Sequence, residues 1–149
     1  MAEYVKKMPV VEKVFEAWTA IADGRVHLGE GQAQVESSDG TKGYTVKFDG
    51  NTFASDDNAT YWRGYPGYPV IVVMMLRGDV PFDSAEAEKW KDVNWKEINT
   101  RFKNKYAEAV KFVAEERHID LGKAYEDAQK VMKALEGIDY TIKRKLPNR

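Results

Sequence analysis

The sequence contains no cysteine and no long apolar segment. The missing cysteines exclude disulfide bonds, thiolate catalysis and zinc sites that use thiolate ligands. The longest apolar run, Val70 to Leu76, is much shorter than the roughly 18 to 20 residues that cross a bilayer. Lys6 and Lys7 are not followed by the apolar core of a signal peptide. We therefore expect a soluble cytoplasmic protein with no membrane partner.

Residues that commonly carry catalysis are also scarce. The only histidines are His27 and His118, and no pattern predicts contact between them. The chain has no glycine-rich phosphate loop, nucleophile elbow or paired-carboxylate motif. We therefore name no catalytic residue, metal or cofactor. The question of enzymatic activity stays open, and the balance favours a non-enzymatic role.

Composition favours a single domain. A chain of 149 residues with 43% hydrophobic and 32% charged residues can bury one core beneath a solvated surface. The net charge of −1 gives no global argument for nucleic-acid binding. A local basic cluster, Lys143 to Lys145, is typical either of an ordinary charged terminus or of a contact with phosphate or an acidic partner. Abundant Lys and Glu with rare Gln resemble a thermophile's composition.

The first half of the chain predicts one helix and a small sheet. Apolar residues recur at helical spacing from Pro9 to Ala22. Alternation then predicts strands around Ala33–Val35, Tyr44–Phe48 and Thr52–Ala54, with a two-residue hairpin turn at Gly50-Asn51. We expect a three-stranded antiparallel meander. The run Val70–Leu76, introduced by Pro69 and ended by Gly78, predicts a buried helix, although its β-branched residues also suit a buried strand.

The second half predicts two to three helices packed on this sheet, and so an α+β fold. Asp83 with Glu86 has the pattern of a capping box, and a short helix should run to Trp90. Asn94 should open one long helix that continues to about residue 117. Asp120 should cap the last helix, which Gly137 ends. Alternation at Ile138, Tyr140 and Ile142 allows a final strand.

Residues 38–78 resemble a SWIM-type zinc finger. The matching strand-and-turn residues are Ser38, Gly40, Tyr44, Thr45, Val46, Asp49 and Gly50, and Pro69–Leu76 resembles the helix that follows the last ligand. The ligand positions would fall near Ala54 and Asp56, or Ser55 and Asp57, and near Gly67 and Pro69. None is Cys or His, so the resemblance implies a metal-free relative. SWIM domains mediate contacts with DNA or protein, which the resemblance implies for this segment alone.

An aromatic loop joins the predicted meander to the buried helix. It contains Tyr61, Trp62, Arg63, Tyr65 and Tyr68. Aromatic rings with an arginine can stack on bases or planar ligands, or they can fill the space that metal ligands would occupy. Our first functional hypothesis is a binding or interaction domain that uses these five residues, aided by Lys47, to contact a protein or nucleic acid.

Two further hypotheses stay open. The first is a small-molecule-binding protein or enzyme with a pocket between sheet and helices, in which Asp56 or Asp57 converges with Arg63. Asp56, Asp57 and Asn58 could also simply cap the following turn. The second is a homo-oligomeric structural protein that buries the aromatic loop in an interface. Ring exposure and the direction of the carboxylates discriminate among these alternatives.

Overall fold

A computed structural model describes residues 6–146 of the chain. Helix α1 (Lys13–Ala22) precedes four strands: β1 (Val26–Leu28), β2 (Gln32–Glu36), β3 (Gly43–Asp49) and β4 (Thr52–Ser55). A single π-helical turn (Ala59–Arg63) leads into α2 (Tyr68–Arg77). Four helices and a short strand follow: α3 (Ser84–Glu88), α4 (Trp95–Arg101), α5 (Tyr106–Arg117), α6 (Leu121–Gly137) and β5 (Thr141–Ile142).

The five strands form one sheet in the order β1-β2-β3-β4-β5. The first four are antiparallel neighbours, and β5 pairs in parallel with β4. The predicted α+β class is confirmed, but the predicted three strands are too few. The meander gains β1 because Gly29 and Gly31 form a turn between Leu28 and Gln32 rather than ending the strand pairing. The suggested C-terminal strand forms as β5.

The inner face of the sheet packs on α2. Buried residues of β2 and β3 are separated by more exposed ones, as in a half-buried sheet: Ala33, Val35 and Val46. In β4, Phe53, Ala54 and Ser55 are all buried. Residues 69–75 of α2 are all buried, so the helical alternative for this run is correct. Gly67 is extended before Tyr68, and Gly78 ends the helix with a positive φ of 86°.

Helix α1 connects the sheet layer to the C-terminal helices. It contacts α2 on one side and α3 and α6 on the other. Phe15 packs edge-to-face on Trp18 and Trp90 within this contact. The C-terminal helices α3 and α6 thus lie against α1. The prediction from the sequence had them packed directly on the sheet.

Helix starts were easier to predict than one helix end. Asp83, Asn94 and Asp120 each accept a backbone N–H of the first turn, as predicted. The long helix predicted from Asn94 is instead broken into α4 and α5. The break occurs because Lys103 and Asn104 adopt left-handed backbone conformations, with φ of 55° and 62°. The Asn104 N–H then donates to the Asn99 carbonyl and closes the end of α4.

Candidate functional site

A polar cavity of about 300 Å³ lies where α1, the β2–β3 loop, the residues after β4 and α4 meet. Its charged lining comes from Lys13, Glu16, Arg25, Lys42, Asp57 and Lys96, and its rings from Tyr44, Tyr68, Trp95 and Tyr106. We call this region the polar cavity. The lining combines four basic with two acidic side chains, so it carries a formal positive excess.

Asp57 is the most unusual group in the cavity wall. The residue is only 6% exposed, and its Oδ1 atom has no hydrogen-bond partner. The other oxygen, Oδ2, accepts the Thr60 N–H at 3.1 Å and so caps the π-helical turn. Burying an unpaired carboxylate oxygen is costly, so Oδ1 is an unused acceptor on a residue of the cavity lining.

Gly67 allows Asp57 to occupy this position. A Cβ atom at Gly67 would lie 2.0 Å from Asp57 Oδ2, so only glycine gives the carboxylate room. The Gly67 N–H donates to Thr60 Oγ1 at 3.0 Å, which holds the two ends of the loop together. Asp57 and Gly67 are two of the positions that the SWIM resemblance assigns to metal ligands. That resemblance stays a prediction.

Two tyrosines of the cavity lining lie near Asp57 and Arg25. The rings of Tyr44 and Tyr68 pack edge-to-face with centroids 6.2 Å apart. Burial, and then the nearby Asp57 carboxylate, raise the pKa of Tyr44. Burial raises the pKa of Tyr68 strongly, and the nearby Arg25 guanidinium opposes this effect only in part. Both phenols therefore stay neutral at ordinary pH and can donate hydrogen bonds.

The cations of the cavity are fixed to different degrees. Lys13 Nζ lies 2.9 Å from Glu16 Oε2 and 4.3 Å from the centre of the Tyr106 ring. Burial lowers the pKa of Lys13, but the Glu16 carboxylate outweighs this effect and the net pKa is raised. Arg25 pairs with Asp23 at 3.0 Å and donates to the Glu36 carbonyl.

The aromatic loop is divided between two regions. Tyr68 lines the polar cavity, whereas Tyr61 lines a groove on the other side with Lys47, Asp56, Arg144 and Lys145. We call the second region the aromatic–basic groove. Trp62 beside it is 66% exposed, Arg63 is exposed, and Tyr61, Tyr65 and Tyr68 are half-buried. Trp62 is therefore the exposed ring of the loop and its tyrosines are partly packed, while the hypotheses of a contact surface and of a packed plug stay predictions.

The predicted pocket residues separate in the same way. Asp57 lines the polar cavity, but Asp56 lines the groove, where it accepts the Thr45 N–H at 2.9 Å. Arg63 lines neither region, and the arginine of the cavity is Arg25. Both histidines are exposed and lie outside the cavity lining. Within residues 6–146, no group of three or more His, Asp or Glu side chains is arranged to hold a metal.

Sequence reasoning missed Arg25 and the Lys13–Glu16 pair. Arg25 follows the predicted stop of the first helix, a position with no motif to distinguish it. Lys13 and Glu16 are three residues apart on α1, a common spacing for a surface ion pair. The signal that marks them is burial in the cavity, whose lining is completed by α4 and the first residue of α5.

The fold and these two regions define an α+β protein with a polar cavity beside its sheet. A family model described as uncharacterised conserved protein UCP014422 matches residues 6–141. Because the match spans most of the chain, the protein belongs to that family. No curated protein and no solved structure matches the chain. No helix within the described residues is long and apolar enough to span a membrane.

Proposed function

We propose that the protein binds a small zwitterionic molecule in the polar cavity. The observation that carries this proposal is Asp57, a buried carboxylate with one oxygen unpaired in the cavity wall. An ammonium or N–H group of a ligand would supply the missing donor. The volume of about 300 Å³ is at the low end for ligand sites and suits a small molecule.

Arg25 and the exposed Lys42 would bind the anionic group of the ligand. Arg25 lines the same cavity as Asp57 and lies near Tyr68, as its effect on the pKa of Tyr68 indicates. A ligand with an anionic and a cationic group could therefore meet a charge of each sign in one cavity. Free amino acids are the simplest molecules with this pattern.

The test is a thermal-shift screen with three panels of compounds. One panel contains amino acids, one contains amines without a carboxylate, and one contains carboxylates without an amine. At a concentration about 100 times Kd, a true ligand stabilises the protein by about 2.7 kcal/mol, which corresponds to a rise in Tm of about 5 to 10 °C. We expect this rise only in the amino-acid panel.

Asp57→Asn and Asp56→Asn form a matched pair for this screen. Asn at position 57 keeps an oxygen for the Thr60 N–H but offers NH₂ where the ligand needs an acceptor. Asp56→Asn makes the same chemical change outside the cavity. We expect the ligand-induced rise to disappear in Asp57→Asn and to persist in Asp56→Asn. A rise that is equal in both variants, or no rise with any panel, would contradict the proposal.

The proposal concerns binding and leaves catalysis open. Ser37 lines the cavity, but we assign its hydroxyl no role as a nucleophile. This hydroxyl already donates to Asp39 at 2.8 Å and accepts the Lys42 N–H. The Ser38 hydroxyl is likewise engaged, since it accepts the Lys96 N–H at 3.0 Å. We propose that this binding takes place in the cytoplasm, as the sequence predicts.

We also propose that residues 38–78 are a metal-free SWIM-like segment. The Asp57–Gly67 contact lies at positions that the resemblance assigns to metal ligands.

A further inference from the structure

The aromatic–basic groove is a second region with a ligand chemistry of its own. It encloses about 480 Å³ between β3, β4, Tyr61 and residues 144–146. Its walls place Lys47, Arg144 and Lys145 around one acid, Asp56, whose Oδ1 already accepts a backbone N–H. The groove is thus open, elongated along strand residues and positive in net formal charge.

The exposed ring of Trp62, beside this groove, has a free surface on which another ring could stack. Arg144 lies over both rings of the Tyr61–Trp62 pair, with its guanidinium carbon 5.5 Å and 5.3 Å from the two ring centres. The two rings pack edge-to-face at 4.7 Å. Trp62 nevertheless stays 66% exposed, although the other three tryptophans are at most 2% exposed. A large exposed ring with a stacked arginine is a platform for another planar group.

Distant parts of the chain supply the positive charge. The Lys143 N–H donates to the Phe53 carbonyl at 2.9 Å, so the pairing of β5 with β4 anchors the basic cluster. At the other end, Lys7 Nζ donates to the Arg63 carbonyl at 3.3 Å, beside Trp62. Lys7, Lys47 and Arg144, from three chain segments, therefore lie at the aromatic loop or in the groove beside it.

We propose that this groove binds single-stranded nucleic acid. Phosphates would contact Lys47, Arg144 and Lys145, and a base would stack on Trp62. Stacking requires an unpaired base, which favours a single strand over a duplex. The site is separate from the polar cavity, so its failure and that of the zwitterion proposal are distinguishable.

The first experiment uses the exposed tryptophan as its own reporter. A single-stranded oligonucleotide of about 12 nucleotides, within the usual range of site sizes, is titrated into the whole protein at low salt. We expect quenching of the exposed component of tryptophan emission. With three groove cations, log K should fall against log salt with a slope of about −2. Absence of binding at low salt would overturn the proposal.

The second experiment compares variants by the fluorescence anisotropy of a labelled oligonucleotide. Trp62→Ala should weaken binding by about 5-fold or more, whereas Trp62→Phe should keep most of it. Arg144→Gln should weaken binding, whereas Lys111→Gln, the same charge change at an exposed position of α5, should not. Polyglutamate is the competitor: if it displaces the oligonucleotide at equal charge concentration, the groove binds acidic chains in general and the nucleic-acid proposal is wrong.

Discussion

At the scale of single residues, Gly67 decides whether the cavity wall can form. Its backbone is in an ordinary extended conformation that alanine can adopt, so the methyl group itself is the only obstacle. With the new Cβ 2.0 Å from Asp57 Oδ2, we expect Gly67→Ala to lower the free energy of unfolding by about 1 to 3 kcal/mol. Urea denaturation measures this loss.

Two further variants identify the cause of that loss. Gly43→Ala is the matched control, because a Cβ there meets nothing within 4 Å and the backbone is not left-handed. In an Asp57→Ala background the clash is removed, so Gly67→Ala should cost much less than in the wild type. Equal costs in both backgrounds would show that the carboxylate is not the obstacle.

Thr19 is a second residue on which several groups depend. Its buried hydroxyl accepts the Trp95 indole N–H at 2.8 Å and lies 2.7 Å from the Trp90 carbonyl. Thr19→Val keeps the shape but leaves these polar groups unpaired, so we expect a loss of about 1 to 3 kcal/mol in unfolding free energy. Thr100→Val, at an exposed position, should change it by less than about 0.5 kcal/mol. Similar effects of both substitutions would contradict this role.

For single residues of the site, the sequence predicted local hydrogen bonds but not which side chains line the cavity. The sequence indicated that Asp57 could cap the following turn, and its bond from the Thr60 N–H confirms this. The sequence grouped Asp57 with Arg63, which follows it closely in the chain, but Arg63 does not line the cavity, whereas Arg25 does so only through the fold. Local patterns identify local hydrogen bonds, whereas convergence on a cavity depends on long-range packing.

At the scale of elements, the β2–β3 turn should make stability depend on pH. Hydrogen bonds from the Thr41 side chain and backbone, and from Ser37, hold the pKa of Asp39 well below its ordinary value of 3.8. Lys96 pairs with the same carboxylate at 3.2 Å and ties the turn to α4. Since the folded state prefers the ionised form, this stabilisation is complete above about pH 5 and is lost as the pH falls below the unfolded pKa.

We therefore expect the Asp39→Asn variant to lose less stability than the wild type between about pH 5 and pH 2. The measurement is the midpoint of urea unfolding at a series of pH values. Asp139→Asn, which removes an exposed aspartate outside the turn, should retain the wild-type pH dependence. If Asp39→Asn follows the wild-type curve throughout, the turn does not hold Asp39 as described.

Helix starts were predicted better than the break between two helices. The caps at Asp83, Asn94 and Asp120 depend on neighbouring backbone groups and were predicted correctly. The capping-box interpretation of Glu86 needs revision, because its carboxylate pairs with Lys89 at 2.9 Å. The break between α4 and α5 carries a weak signal, Asn104, while Trp95, Phe102 and Tyr106 continue an apolar stripe across it. Tertiary packing therefore overrides periodicity there.

At the scale of the whole molecule, one aromatic cluster ties α1 to the C-terminal helices. Phe15 is fully buried and packs on Trp18, Trp90 and Tyr125 with ring centroids 4.7 to 5.3 Å apart. Apolar residues of the sheet, such as Val46 and Phe53, belong to the same contiguous core. A single domain, which the sequence predicts, should therefore unfold without separating the sheet from the helices.

Phe15→Ala tests this prediction directly. We expect a loss of about 3 to 5 kcal/mol in unfolding free energy, because the vacated space is surrounded by large rings that cannot collapse into it. Fluorescence of the buried tryptophans and far-UV circular dichroism should still give coincident transitions, since helices and sheet share the core that has been weakened. Val10→Ala, at an exposed position, should leave stability nearly unchanged. Transitions that separate in Phe15→Ala would mean that the sheet with α2 keeps its structure after the C-terminal helices have unfolded, and the chain would then contain two cooperative units.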